Sequence, residues 1–214
     1  MPQEDTTMLI GKKSRSSRPL DTLSAIAAPV VVSTLILWGG THLARAEDND
    51  SGPKWTGTGE LILPTGFHEW VFLGSPLTPH ALNGGNAPFP EYHNVYVQPH
   101  AYRAYRKSGE WPEGTIMLKE LQLTRTGSNP DGSAVEVSGR GYFPGALNGI
   151  DISVKDAKRF KDTNGWGFFN FGHHAPPYAK TAVAQSVDAC AGCHIAHADN
   201  MVFSKFYTPI LDAK

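Results

Sequence analysis

Hydrophobic and polar positions alternate through most of the middle of the chain, in short runs divided by Gly, Pro and Asn. Such alternation is the period of an extended strand with one covered face. It predicts strands in "FHEWVFLG", "YHNVYVQ", "TIMLKELQL", "SAVEVSGRGYF", "IDISVKD" and "WGFFNF". The pattern changes to a helical spacing in "PHAYRAYRKSG", where Pro99 opens a helix, Ala101, Tyr102 and Tyr105 share a side, and Gly109 ends it. A shorter turn is predicted at "DAKRF", and a helix over about 188–206. Strands and few helices in this order predict an α+β domain, a mostly antiparallel β-sheet with the last helix near the C-terminus. One position breaks the pattern. In "TIMLKELQL", Lys119 shares a strand face with Thr115, Met117, Leu121 and Leu123, and an unpaired ammonium buried there would cost several kcal/mol, on the order of a lost hydrogen bond or more.

The beginning of the chain follows another rule. "GKKSRSSRPL" is basic, "LSAIAAPVVVSTLILWGG" is an apolar run, and Ala44 and Ala46 form a small-x-small site before "EDND". This is the layout of a secretory signal, assigning residues 1–46 to a leader and 47–214 to the mature domain. An uncleaved anchor is the competing reading, since residues 23–40 nearly suffice to span a bilayer, but Pro29, Gly39 and Gly40 and the Ala-Arg-Ala site favour cleavage. No Arg-Arg pair supports twin-arginine export. With 40% hydrophobic and 18% charged residues among 214, the chain suits one globular domain. Five of the 19 Lys and Arg and three of the 20 Asp and Glu fall in the leader, leaving 14 against 17, a net charge of −3 before histidine. No basic stripe invites nucleic acid. The mature protein is expected to be periplasmic and free of the membrane.

Two cysteines in an exported chain suggest a disulfide, but Cys190 and Cys193 stand as C-x-x-C with His194 directly after. That is the attachment motif of c-type haem, in which two thiols bond the haem vinyl groups and the adjacent imidazole ligates iron. A thioredoxin-like pair would want a βαβ context, which does not precede Cys190, and zinc would need four ligands at wider spacing than Cys190, Cys193, His194 and His197 allow. Only 20 residues follow His194, and Met201, seven residues on, falls on the same predicted helix and so on the proximal side of the haem. That leaves the distal face without a protein ligand. An open haem suits small-molecule chemistry better than plain electron transfer.

Several blocks together carry a family resemblance: "ELILPTGFHEWVFLGSPLTPHALNGGNAPFPEYHNVYVQP", "AYRAYRKSGEWPEGTIMLKEL", "GRGYFPG", "SVKDAKRF", "GWGFFNF" and "CAGCHIAHADNMVFSKFYTPIL". Over about residues 60–211 the chain resembles the cytochrome P-460 family. The resemblance implies a mostly β homodimer with one covalent haem c, His194 as the iron ligand, an open distal site, and a lysine bonded to the macrocycle, which falls on Lys119. An amine pressed against an apolar ring face loses hydration, which favours its neutral, nucleophilic form. The implied activity is oxidation of hydroxylamine to nitrous or nitric oxide, with a periplasmic electron acceptor. It needs a distal proton acceptor. The family's carboxylate is expected shortly before the haem motif, where Gln185 and Asp188 are the polar choices. His93 stands where the family has arginine and would serve as a proton shuttle, and Phe89 would pack on the distal side. The alternative is a nitric-oxide-binding haem protein resembling cytochrome c-prime-beta, without a crosslink.

Overall fold

The computed structural model describes residues 51–211, and the leader lies outside them. In chain order the elements are β1 (Leu61–Ile62), β2 (Val71–Gly74), β3 (Tyr92–Val97), α1 (Pro99–Ser108), β4 (Ile116–Thr124), β5 (Ala134–Glu136), β6 (Gly139–Gly141), β7 (Pro144–Lys155), β8 (Trp166–Asn170), β9 (Thr181–Ala182), α2 (Gly192–His197) and α3 (Thr208–Leu211). The fold is α+β. Its centre is a five-stranded antiparallel sheet in the order β2-β3-β4-β7-β8. Strands β1 and β9 form a separate pair, as do β5 and β6.

Alternation along the central strands gives the sheet two covered faces. Ile116 and Leu118 of β4, Ile150, Ile152 and Val154 of β7 and Phe169 of β8 point to one face, where Leu61, Phe67, Trp70 and Phe171 close over them. Val95 and Val97 of β3, Met117 of β4 and Phe168 of β8 point to the other, under Met201, Val202, Tyr207 and Ile210 of the C-terminal segment. Burying each such side chain stabilises the domain by about 1.5–3 kcal/mol, an upper bound because real unfolded chains are partly collapsed.

Helix α1 forms where the 3.6-residue spacing places it. Pro99 occupies its first turn, and Gly109 at φ 74° ends it in the left-handed conformation that costs glycine least. Ala101 is buried, Tyr102 and Tyr105 pack on the core, and Tyr105 stacks on Trp111 at 3.9 Å between ring centroids. Fully buried Gln98, just before α1, donates to Ser51 O (2.7 Å) and accepts from the Ile116 N–H (2.6 Å), tying the β3–α1 corner to the start of β4.

Three expected elements differ. "FHEWVFLG" is a strand only from Val71; Phe67–Glu69 is a 3-10 turn entered through Gly66 at φ 69°. "SAVEVSGRGYF" holds a small hairpin, not one strand, because the chain reverses between Glu136 and Gly139. The third is the helix over 188–206. A π-helical turn (Val187–Ala191) runs into α2, which stops at His197, and 3-10 and α turns follow at Ser204–Phe206 and Thr208–Leu211. Asn200 and Met201 have φ of 48° and 68°, values that no continuous helix admits.

Candidate functional site

Cys190 lies in the π-helical turn and Cys193 and His194 lie in α2, so the motif occupies one helical run over 187–197. Both thiols are free. The imidazole of His194 rests between Phe168 of β8 (4.5 Å between centroids) and Phe203 (4.9 Å). Its Nδ1–H donates to Met201 O at 2.8 Å. That bond fixes the tautomer and leaves Nε2 with its lone pair for a metal. Burial lowers the affinity of His194 for a proton, the Met201 hydrogen bond offsets part of that, and the positive charge of Lys119 adds to it. Met201 therefore acts on the Nδ1 side of the ring through its backbone, placed there by a reversal of the chain and not by two further turns of helix. Its side chain is buried, with Sδ accepting from Asn164 Nδ2 at 3.7 Å.

Lys119 lies on the face of β4 that Met117 shares, the face the C-terminal segment covers. In register across the sheet stand Val95, Lys119, Asp151 and Asn170. Lys119 Nζ is 3.0 Å from Asp151 Oδ2, and Asn170 Nδ2 donates to Asp151 Oδ1 at 2.7 Å. The ammonium in the apolar row is thus paired. Both side chains keep some contact with water, 29% for Lys119 and 30% for Asp151. A pair so placed contributes no more than about 1 kcal/mol, so stability alone does not account for it.

The same cation lies 5.4 Å from the Phe89 ring centre, and Phe89 meets His93 edge-on at 6.0 Å. Burial, and after it the charge of Lys119, push His93 down to about 4, against a smaller upward pull from Glu91 and Asp151. His93 is consequently neutral at physiological pH, and its buried Nε2 has no hydrogen-bond partner. Cys190 belongs to the same neighbourhood. Burial raises its thiol, Asp151 raises it further, and Lys119 opposes both.

The structure thus brings Lys119, His93 and Phe89 together and sets the Cys190–Cys193–His194 run against the same sheet face. Gln185 and Asp188 lie on the approach to that run. Gln185 is anchored by its N–H donating to Phe168 O at 2.7 Å, and Asp188 is exposed in the π-helical turn. Among the described residues, neither side chain is hydrogen-bonded or ion-paired to Lys119 or His93. The carboxylate that does meet Lys119 is Asp151. Sequence reading passed over it, although "IDISVKD" puts an acid at an inward position of a strand pattern.

The donor set fits a haem. Two unpaired thiols three residues apart, a neutral imidazole with Nε2 free, flanking aromatic rings and an unsatisfied buried nitrogen on His93 are what a covalently held porphyrin would engage. Among the described residues, no group of three or more His, Cys, Asp or Glu side chains converges to hold a metal by itself. No curated protein matches the chain. A family model described as Cytochrome P460 matches residues 64–204, about two thirds of the chain and the span that carries this whole arrangement. The chain belongs to the cytochrome P-460 family and is a haem protein.

Proposed function

We propose that this is an exported enzyme that oxidises hydroxylamine at a c-type haem crosslinked through Lys119. The observation that carries the reading is the position of Lys119: on the sheet face that His194 and Cys190 cover, with a carboxylate 3.0 Å from its Nζ. Cys190 and Cys193 would hold the haem and His194 would ligate it, and the group would supply the electron sink for the oxidation. Phe89, half exposed, and His93, with its buried Nε2, stand beside Lys119. Two hydroxylamines yielding one nitrous oxide and one water release four protons and four electrons, so the pocket needs proton acceptors. Asp151 and the neutral His93 are placed to serve. A bond from Lys119 to the macrocycle would require Nζ to give up its proton, which Asp151 at 3.0 Å is placed to take, and would need an external two-electron oxidant, with the second proton passing to solvent. The leader pattern supports export to the periplasm and release there, and the family resemblance supports a homodimer that passes electrons to a periplasmic acceptor.

The Lys119–Asp151 pair also favours a second reading, since a protonated amine held by a carboxylate has no lone pair to donate. In that case the chain binds nitric oxide without turnover. Intact mass and the optical spectrum of the purified holoprotein separate the two. A haem peptide still tethered to the tryptic fragment containing Lys119, a red-shifted ferrous Soret band and hydroxylamine-dependent reduction of an artificial acceptor are expected. Release of that fragment on proteolysis together with an ordinary c-type spectrum would leave the gas-binding reading.

A further inference from the structure

Glu91 is a buried carboxylate, 3% exposed, just before β3. A charge there is tolerated only if it is hydrogen-bonded. Its Oε1 accepts from His173 Nε2 and from Asn148 Nδ2, each at 2.9 Å. Burial pushes the carboxyl up, but the hydrogen bonds from His173, the backbone and Asn148 and the charge of His173 outweigh it and hold the group below the ordinary range. Glu91 is therefore ionised at neutral pH. A purely structural anchor would end at Oε1. Oε2, however, is buried without a partner.

Buried polar atoms are rarely left unpaired. Three side-chain atoms among the described residues are so placed, and two of them are Glu91 Oε2 and His93 Nε2. Glu91 lies in the bend that leads into β3, His93 is the second residue of that strand, and the charge of Glu91 acts on the His93 ring. One bridging water would satisfy both. On its other side Glu91 reaches His173, whose side chain is 46% exposed. The approach of His173 is built into the backbone. A Cβ on Gly149 would lie 2.8 Å from Gly172 O and 3.3 Å from His173 Cα, so only glycine lets the loop after β8 sit this close to β7.

We propose that His93, Glu91 and His173 form a proton path from the pocket beside Lys119 to solvent, with Glu91 as its central positioning residue. This rests on the hydroxylamine-oxidising reading and deepens it. The path moves protons only. A proton released in the pocket passes to His93, crosses a bridging water to Glu91 Oε2, and leaves from His173 into bulk, the electrons going to the external acceptor. His93 suits a transient carrier because burial and Lys119 keep it from retaining a proton. The charged and titratable groups facing the path are Lys119 of β4 and Asp151 of β7 at the pocket end, with Asn148 of β7 as the fixed neutral donor at Glu91.

The test compares wild-type holoprotein with Glu91→Gln, Glu91→Asp and His173→Gln. With the path intact, turnover does not depend on buffer concentration. In Glu91→Gln, kcat for hydroxylamine is expected to fall about tenfold or more with KM held, to recover as phosphate buffer is raised, and to return in part in Glu91→Asp. His173→Gln, which alters an exposed ring, should show the same buffer dependence in milder form. Independently of turnover, the haem reduction potential of the wild type should vary with pH, and that variation should flatten in Glu91→Gln. If Glu91→Gln lowers only the melting temperature, with buffer independence and the pH variation of the potential unchanged, the group is an anchor and the proposal is overturned. If the wild type does not oxidise hydroxylamine but the potential still loses its pH dependence in Glu91→Gln, the path stands and the functional reading falls.

Discussion

The two faces of the central sheet are made by alternate residues of the same strands, yet they are built to different ends. On one face Ile116, Leu118, Ile150, Ile152 and Phe169 interlock, and the buried Glu120 beside them is met by His68 at 3.3 Å. On the other the same strands present Lys119, Asp151, Asn170 and His93 among Val95, Val97, Met117 and Phe168. A one-residue slip in β4 would exchange the faces, placing Lys119 in the apolar layer and Leu118 beside His194. Position in register, more than residue type, therefore separates packing from chemistry here. The polar face gives up stability, since an exposed ion pair returns little and His93 is buried with an unpaired nitrogen. Groups kept at such a cost on an otherwise apolar sheet belong to function.

The widest separation of the two faces is expected from Lys119→Arg. Arginine keeps the charge and the pairing with Asp151 but cannot form the same bond to a ring carbon. Hydroxylamine turnover should fall at least about 10³-fold, equivalent to about 4 kcal/mol of barrier, while the melting temperature changes little. Steady-state kinetics and the Soret position check this together. A variant with full turnover would remove Lys119 from the chemistry.

Leu118→Ala asks the opposite of the adjacent residue. Leu118 is fully buried opposite Ile152, so truncation should lower stability by about 3 kcal/mol, read from urea unfolding, with the spectrum and turnover of the folded fraction intact. If the spectrum shifts as well, the faces are coupled and not independent.

How much of this division was legible beforehand depends on range in sequence. Strands β3, β4, β7 and β8 and helix α1 follow from alternation and from Pro99 and Gly109, all local signals. The attachment motif is equally local. By contrast, Asp151 is recognisable as part of the site only once the β4–β7 register sets it opposite Lys119, and Glu91 only once His173, 82 residues away, closes on it. The C-terminal segment misled because Met201, Val202, Phe203 and Phe206 repeat at helical intervals, whereas the chain reverses at Asn200 and Met201. The reversal brings Met201 O to His194, a contact that helical periodicity does not contain.

Asp151→Asn probes the polar face more gently. Asparagine keeps the shape but has a single acceptor oxygen, so it can accept from Lys119 or from Asn170 and not from both, and it takes no proton. Turnover should fall about 10- to 100-fold, or about 1.4–2.7 kcal/mol, with little loss of stability given the partial exposure of the pair. Intact mass of the same variant reports whether Asp151 also assists formation of the Lys119 bond, through a lower crosslinked fraction.

A gradual effect is expected on the pH dependence of stability, and it reads the polar face through His93. His93 is held down to about 4, first by burial and then by Lys119, whereas an unfolded histidine protonates near 6.5. Between those values the unfolded chain binds a proton that the folded one refuses, so stability is full above the unfolded value and declines as pH falls through this window. Allowing for the part of the ring that remains near solvent, the decline should be on the order of 2 kcal/mol. His93→Gln removes the titrating group and should flatten the urea-unfolding free energy between pH 6.5 and 4 relative to wild type. In the crosslinked protein Lys119 no longer bears an ammonium, one of the two causes weakens, and the wild-type decline should be shallower than in protein carrying Lys119→Arg. Equal slopes together with a crosslink shown by intact mass would mean that burial alone sets the state of His93 and that Lys119 does not act on it.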